Sequence, residues 1–169
     1  MAEIESSEQS SWWVAHALPR REKKARDSIA KVAQEVFLPL RTSRREYSSK
    51  SVTFEIPLFP GYLFARFPSS SRQAIYQSPH VASLLNVTDQ KTFKSQIDEL
   101  KSLLSRTADV TPCPFIQTGR KVRITSGRFR GIEGVVIRRS KKTHLVLSLD
   151  FLQRSIEVEL SADLVALAA

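Results

Sequence analysis

With one cysteine in 169 residues, Cys113, the chain can build neither an internal disulfide nor a cysteine-based zinc site. Its three histidines, His16, His80 and His144, have no metal-ligand spacing with one another, and no phosphate loop or nucleophile elbow occurs. Neither an enzyme nor a metal or other cofactor is therefore expected. Long apolar runs are also missing: nothing approaches the roughly 20 residues of a membrane span. The start, MAEIESSEQSS, is acidic and polar where a signal peptide is basic and then apolar. These absences predict a cytoplasmic protein with no membrane partner. Glycine is scarce, five in all, and three of the five fall within residues 127–134.

What the chain does have is positive charge. Lysine and arginine outnumber aspartate and glutamate 26 to 17, giving a net +9 and a pI near 10.1. That balance attracts polyanions, and nucleic acid is the commonest such partner of a basic protein. A hydrophobic content of 41% over this length suits one medium domain or two small ones.

The pattern along the chain divides it further. Residues 1–10 lack apolar periodicity and read as a disordered tail. WWVAHAL reads as a core strand, and the RREKKARDSIAKVAQ stretch places Ala25, Ile29, Val32 and Ala33 at helical spacing, with Glu22 and Arg26 as an i,i+4 pair. EVFLPL is a strand, TSRREYSSKSVTFE a polar, basic hairpin, and GYLFARF a strand behind a Pro-Gly turn. In that last strand Leu63, Ala65 and Phe67 face one way and Tyr62, Phe64 and Arg66 the other, so both faces are substantially apolar. Either its own chain covers both, or one is offered to a partner. SRQAIYQ predicts a short helix and ASLLNV a strand, and Phe93, Ile97, Leu100 and Leu104 an amphipathic helix ending near Arg106. TADVTPCPF, with two prolines, reads as an extended linker. Beyond it, the short alternating strands VRIT, EGVVIRR, HLVLSLDF and RSIEVELS predict a small β-barrel. The expected boundaries are a tail over 1–10, an α+β domain over 11–106, a linker over 107–117 and a barrel over 118–169.

Four segments in order, WWVAHALPRREKKA, PLFPGYLFARF, YQSPHV before LLNV, and VRITSGRFRGIEGVVIRR, resemble the NusG family. The first three match its NGN domain and the last its KOW motif, where Gly127, Gly131 and Gly134 punctuate a hairpin. The resemblance implies an antiparallel sheet flanked by helices, linked to an SH3-like KOW barrel of five strands. For Gly134, inside a strand, a bulge or barrel corner is the reading favoured by the residues themselves.

The resemblance also implies a function, that of a monomeric transcription elongation and antitermination factor. It places the clamp helices of the RNA polymerase largest subunit against His16, Phe59, Pro60, Tyr62 and Phe64, and the nontemplate DNA strand or the second polymerase jaw near Arg72, Gln73, Gln77 and Ser78. In the KOW domain it implies a partner site for NusE or Rho at Phe151, with Arg128 and Arg130. The arginines and lysine Arg120, Lys121, Arg123, Arg128 and Arg130 could alternatively meet RNA phosphates. The chain reads Phe-Leu-Gln-Arg from Phe151, where general members of the family carry a shorter Phe-Gly-Arg turn. With the PLFP spelling, this is more similar to RfaH-like and UpxY-like paralogues. A competing class, a KOW-type RNA-binding ribosomal or ribosome-assembly protein, accounts for the C-terminal motif and the pI but not for the FPGY segment.

Overall fold

The computed structural model describes residues 9–116, 119, 121–139, 141–160 and 167–168. Most of the tail expected over 1–10, and Arg120, lie outside the described residues. The chain divides into two compact units, one formed by residues 1–39 and 59–90, the other by residues 40–58 and 91–169. Among the described residues no helix is long and apolar enough to cross a membrane.

The first unit is built on an antiparallel sheet of β1 (Ser11–Ala17), β2 (Glu35–Phe37), β5 (Tyr62–Phe67) and β6 (Val81–Asn86), in the order β2-β5-β1-β6. Trp12, Trp13, Val14 and Ala15 are all buried because β1 is a central strand, flanked by β5 and β6. Leu63, Phe64, Ala65 and Phe67 are likewise fully covered, so β5 is apolar on both faces and buried over most of its length. On one face Trp13 stacks on Phe67 with ring centroids 5.3 Å apart. On the other, Phe37 meets Phe64 at 6.2 Å. The Gln90 side chain continues the sheet's bonding: its Oε1 accepts the Trp12 N–H at 2.7 Å, and its Nε2 donates to the Trp12 carbonyl at 2.8 Å.

Helix α1 (Glu22–Ile29) is shorter than its apolar pattern predicts. Ala25 and Ile29 are buried, but Val32 lies beyond the helix and is 41% exposed. The sheet ends the helix: the Gln34 N–H already donates to the Arg66 carbonyl, and Glu35 pairs with Arg66 in β2. A 3-10 turn over Ser69–Ser71 leads into α2 (Arg72–Tyr76), whose Ile75 is buried.

The second unit contains the ribbon of β3 (Leu40–Tyr47) and β4 (Lys50–Pro57), a two-stranded antiparallel sheet. It also holds most of helix α3 (Gln90–Leu104), which buries Phe93, Ile97, Leu100 and Leu103. Leu103, not the expected Leu104, completes the stripe. The remaining strands are β7 (Thr111–Cys113), β8 (Lys121–Ile124), β9 (Glu133–Arg139), β10 (Lys142–Leu149), β11 (Arg154–Leu160) and β12 (Leu167–Ala168). They pair in the order β12-β8-β9-β10-β11-β7.

The C-terminal region is thus β-rich as predicted, but the described residues form an open ladder of six strands, where the residue pattern suggests a small barrel and the family resemblance a barrel of five strands. Two strands lie beyond the four segments read from the sequence, β12 and β7, and β7 comes from the Pro-rich segment: Pro112 pairs with Ile156 and Cys113 with Ser155. Proline donates no ladder bond and is confined to sheet edges, and β7 lies at one edge of the ladder. Gly134 sits where a Cβ would come 2.6 Å from the Val146 carbonyl oxygen, so the β9–β10 approach excludes any side chain there.

Candidate functional site

The sheet of the first unit presents its most distinctive surface around the turn Phe59-Pro60-Gly61-Tyr62. The Tyr62 N–H donates to the Phe59 carbonyl at 3.0 Å, which closes a four-residue turn with Pro60 and Gly61 at its centre. Gly61 has φ +86°, the conformation a type II turn requires at its third position. The turn is tied down twice. Ala17 N–H donates to the Gly61 carbonyl at 2.8 Å, and Gly61 N–H donates to Glu22 Oε1 at 3.0 Å. Glu22, 8% exposed, therefore serves the turn, whereas the sequence suggests a pair with Arg26; Arg26 instead meets Asp27 at 3.1 Å.

Directly opposite, His16 pairs with Tyr62 in the β1–β5 register, and their rings stack at 5.0 Å and 24°. On the other side of β1, His16 pairs with Ser83 and Val14 with Leu85. Opposed residues share a face, so His16, Tyr62, Ser83 and Leu85 lie on one side of the sheet. His16 and Tyr62 are half-buried, Pro60 is exposed and Leu85 is 37% exposed. Phe59 and Phe64 are different: at 1% and 0% exposure they are packed inside the chain. The predicted constellation is therefore brought together, with two members beneath the surface and three on it. Glu22, Ser83 and Leu85 were not assigned to this surface from the sequence, because only the strand register and a hydrogen bond spanning 39 residues place them here.

At the other sheet face, α2 sets Arg72 beside two rings, its guanidinium 5.7 Å from the Trp13 ring centroid and 5.4 Å from that of Tyr76. The Arg72 hydrogen bond holds the Tyr76 phenol below its usual pKa, and the Leu84 N–H donating to its oxygen acts in the same sense. Arg72, Gln73 and Tyr76 line an open groove of about 460 Å³ with Ser69 and Ser70. Gln77 is exposed nearby. Ser78 is buried, and its Oγ accepts the His80 N–H at 3.3 Å, so its hydroxyl is engaged in the turn.

In the second unit Phe151 is 37% exposed at the β10–β11 turn and meets Phe93 of α3 edge-on at 6.0 Å. Gln153 takes φ +51° in that turn, and its N–H donates to the Asp150 carbonyl at 3.2 Å. Gln153 is thus a side-chain-bearing residue in the left-handed region of this turn. Arg128 and Arg130 are exposed in the β8–β9 turn. Arg128 Nε donates to the Arg106 carbonyl at 2.7 Å, and the Arg106 guanidinium donates to the Arg130 carbonyl. The three arginines form one interlocked group, with Arg106 a member the sequence did not suggest.

The family profile for NusG, described as transcription termination factor nusG, matches residues 10–104. The chain belongs to the NusG family. Proteins of the NusG family are non-enzymatic transcription factors that act with RNA polymerase, and this chain is accordingly a transcription elongation factor of that family. The matched span contains β1, the FPGY turn, α2 and α3. No curated protein sequence matches the chain. Among solved structures, that of Thermotoga maritima NusG, determined for its domain interaction, is similar at 20% identity over 90% of this chain and 93% of that one, with a TM-score of 0.49. The MjSpt4:Spt5 complex in its conformation A is similar at 20% identity over 94% of this chain and 98% of that chain, with a TM-score of 0.31.

Proposed function

We propose that this NusG-family protein docks on the clamp helices of the RNA polymerase largest subunit through the sheet face that carries His16 and Tyr62. The observation behind this reading is the stacked His16–Tyr62 pair, half-exposed beside the Pro60–Gly61 turn within the family-matched span. A ring fixed by stacking and by a tied turn loses little side-chain freedom on binding, and aromatic anchors of this kind dominate interface energies. Pro60 extends the contact. Phe59 and Phe64 support it from below, since they are buried.

In this reading the domains run over 11–106 and 118–169, joined by 107–117, and the C-terminal ladder belongs to a KOW domain. The α2 edge, with Arg72, Gln73 and Gln77, faces the nontemplate DNA strand or the second jaw of the polymerase, where arginine neutralises phosphate and the amides reach base edges. Bridging the two jaws favours the closed clamp, because an interaction made in only one state shifts the population toward it. The outcome is fewer pauses, greater processivity and antitermination. Phe151, with Arg128 and Arg130, recruits a second partner, NusE or Rho. The family match over residues 10–104 favours this reading over that of a KOW-type ribosomal protein.

The test is binding of the full chain to isolated clamp helices. Tyr62→Ala is expected to weaken binding by about 2 kcal/mol or more, the range of an interface hot spot. Wild-type protein that does not bind the clamp helices refutes the proposal.

A further inference from the structure

The β3–β4 ribbon contributes none of the residues named above around Tyr62, Arg72 or Phe151, and its two faces differ in chemistry. Its register opposes Arg41 to Ile56, Ser43 to Phe54, Arg45 to Val52 and Tyr47 to Lys50. Opposed residues share a face, so this side carries three cations, two aromatic rings and no carboxylate. The reverse side carries Arg44, Glu46 and Glu55, with Arg44 3.9 Å from Glu46 and hydrogen-bonded to Ser51.

On the cationic side the rings are open to solvent: Tyr47 is 54% exposed and Phe54 42%. Arg45 lies with its guanidinium 5.9 Å from the Phe54 ring centroid. Arg45 and Lys50 are exposed and Arg41 is half-buried. Arg41 and Arg45 are four residues apart on one strand, about 13 Å at strand spacing, so they would contact different phosphates. Cations segregated from acids on one face point to a polyanion. Rings interleaved with them add a site for unpaired bases, whose faces are free to stack; in a duplex those faces are covered by neighbouring base pairs.

We propose that this face of the β3–β4 ribbon binds single-stranded nucleic acid, with phosphates on Arg41, Arg45 and Lys50 and bases stacked on Tyr47 and Phe54. The site is separate from the α2 edge: it lies in the other compact unit and uses none of Arg72, Gln73 or Gln77.

The experiment titrates the full chain against a fluorescent single-stranded oligonucleotide of mixed sequence, and against the same sequence as a duplex, over a range of salt. The Tyr47→Ala/Phe54→Ala variant is expected to lose on the order of tenfold or more in single-strand affinity with duplex affinity unchanged. Arg45→Ala/Lys50→Ala should lower the single-strand salt slope by about 1.4, roughly 0.7 for each phosphate no longer neutralised. Arg44→Ala, on the reverse face, should leave both affinities as they are. Arg72→Ala in the same assay separates any contribution of the α2 edge. The proposal is overturned if the folded ring variant binds the single strand as wild type does, or if Arg44→Ala costs as much as Arg45→Ala. If removal of both rings prevents folding, which circular dichroism would reveal, Tyr47→Ala alone, beside the turn that closes the ribbon, gives the same reading.

Discussion

Gly61 meets two demands that no other residue satisfies together. Its φ of +86° is strained for any side chain, and a Cβ there would come 3.2 Å from the His16 ring. Gly61→Ala is expected to cost about 1–3 kcal/mol, read as a lower denaturation midpoint with unchanged m-value. The same variant should weaken clamp-helix binding, because the turn it strains is the one that positions Tyr62. Part of this was legible in the sequence, since Pro-Gly before an aromatic strand signals a tight turn. The partner that holds the turn was not. Glu22 reads as half of a helical ion pair with Arg26 from spacing alone, but its carboxylate accepts the Gly61 N–H. A part-buried N–H without an acceptor is costly, and satisfying it outweighs a helical i,i+4 ion pair worth a few tenths of a kcal/mol.

At the scale of elements, α3 separates periodicity from packing. Apolar residues at 93, 97, 100, 103 and 104 fit a 3.6-residue repeat with either leucine as the last member. Leu103 is fully buried and Leu104 only partly. Leu103→Ala is therefore expected to cost about 2–5 kcal/mol and Leu104→Ala about 1 kcal/mol or less, by thermal or chemical unfolding of the two variants. The opposite order would mean that the helix is rotated about its axis, with Leu104 and not Leu103 turned inward. Helix α1 carries a related lesson. Its apolar pattern runs on to Val32 and Ala33, yet the helix stops at Ile29, and residues 30–33 turn back on its last carbonyls before Gln34 and Glu35 pair with Arg66 of β5. The segment 111–113 shows the reverse case, in which two prolines suggest only a connector while the extended backbone still supplies an edge strand to β11.

For the whole molecule, the net charge of +9 biases every encounter toward polyanions, and the fold decides where acids break that field. Glu99 is one such place. Its pKa is raised above the ordinary carboxylate value, chiefly by burial and further by the Glu133 carboxylate, against the Glu133 N–H hydrogen bond and the nearby Lys121 and Arg123, which lower it. A carboxyl that holds its proton more tightly folded than unfolded binds more protons in the native state. It therefore contributes stability that is fully present below the unfolded pKa and is lost as pH rises through the raised one. Glu99→Gln is expected to flatten stability against pH from about 4.5 upward through that window and to leave the variant no less stable than wild type at neutral pH, as measured by denaturant midpoints across pH.

By itself the sequence determined the α+β character of the first 104 residues, the β-rich character of the C-terminal region, the FPGY turn and the membership of the NusG family. These are local or periodic properties: alternation, 3.6-residue spacing, turn chemistry and a contiguous motif all survive in one dimension. The tertiary structure decided which aromatics of that motif are open, because Phe64 and Tyr62 sit on the same strand face and differ only in what covers them. It also decided that His16, Ser83 and Leu85 share a face with Tyr62, that Glu22 belongs to the turn, and that the basic hairpin divides into a cationic-aromatic side and an acid-bearing one. Register is the physical reason. A shift of one residue in strand pairing turns every side chain to the opposite face, and pairing is chosen by contacts between segments far apart in the chain.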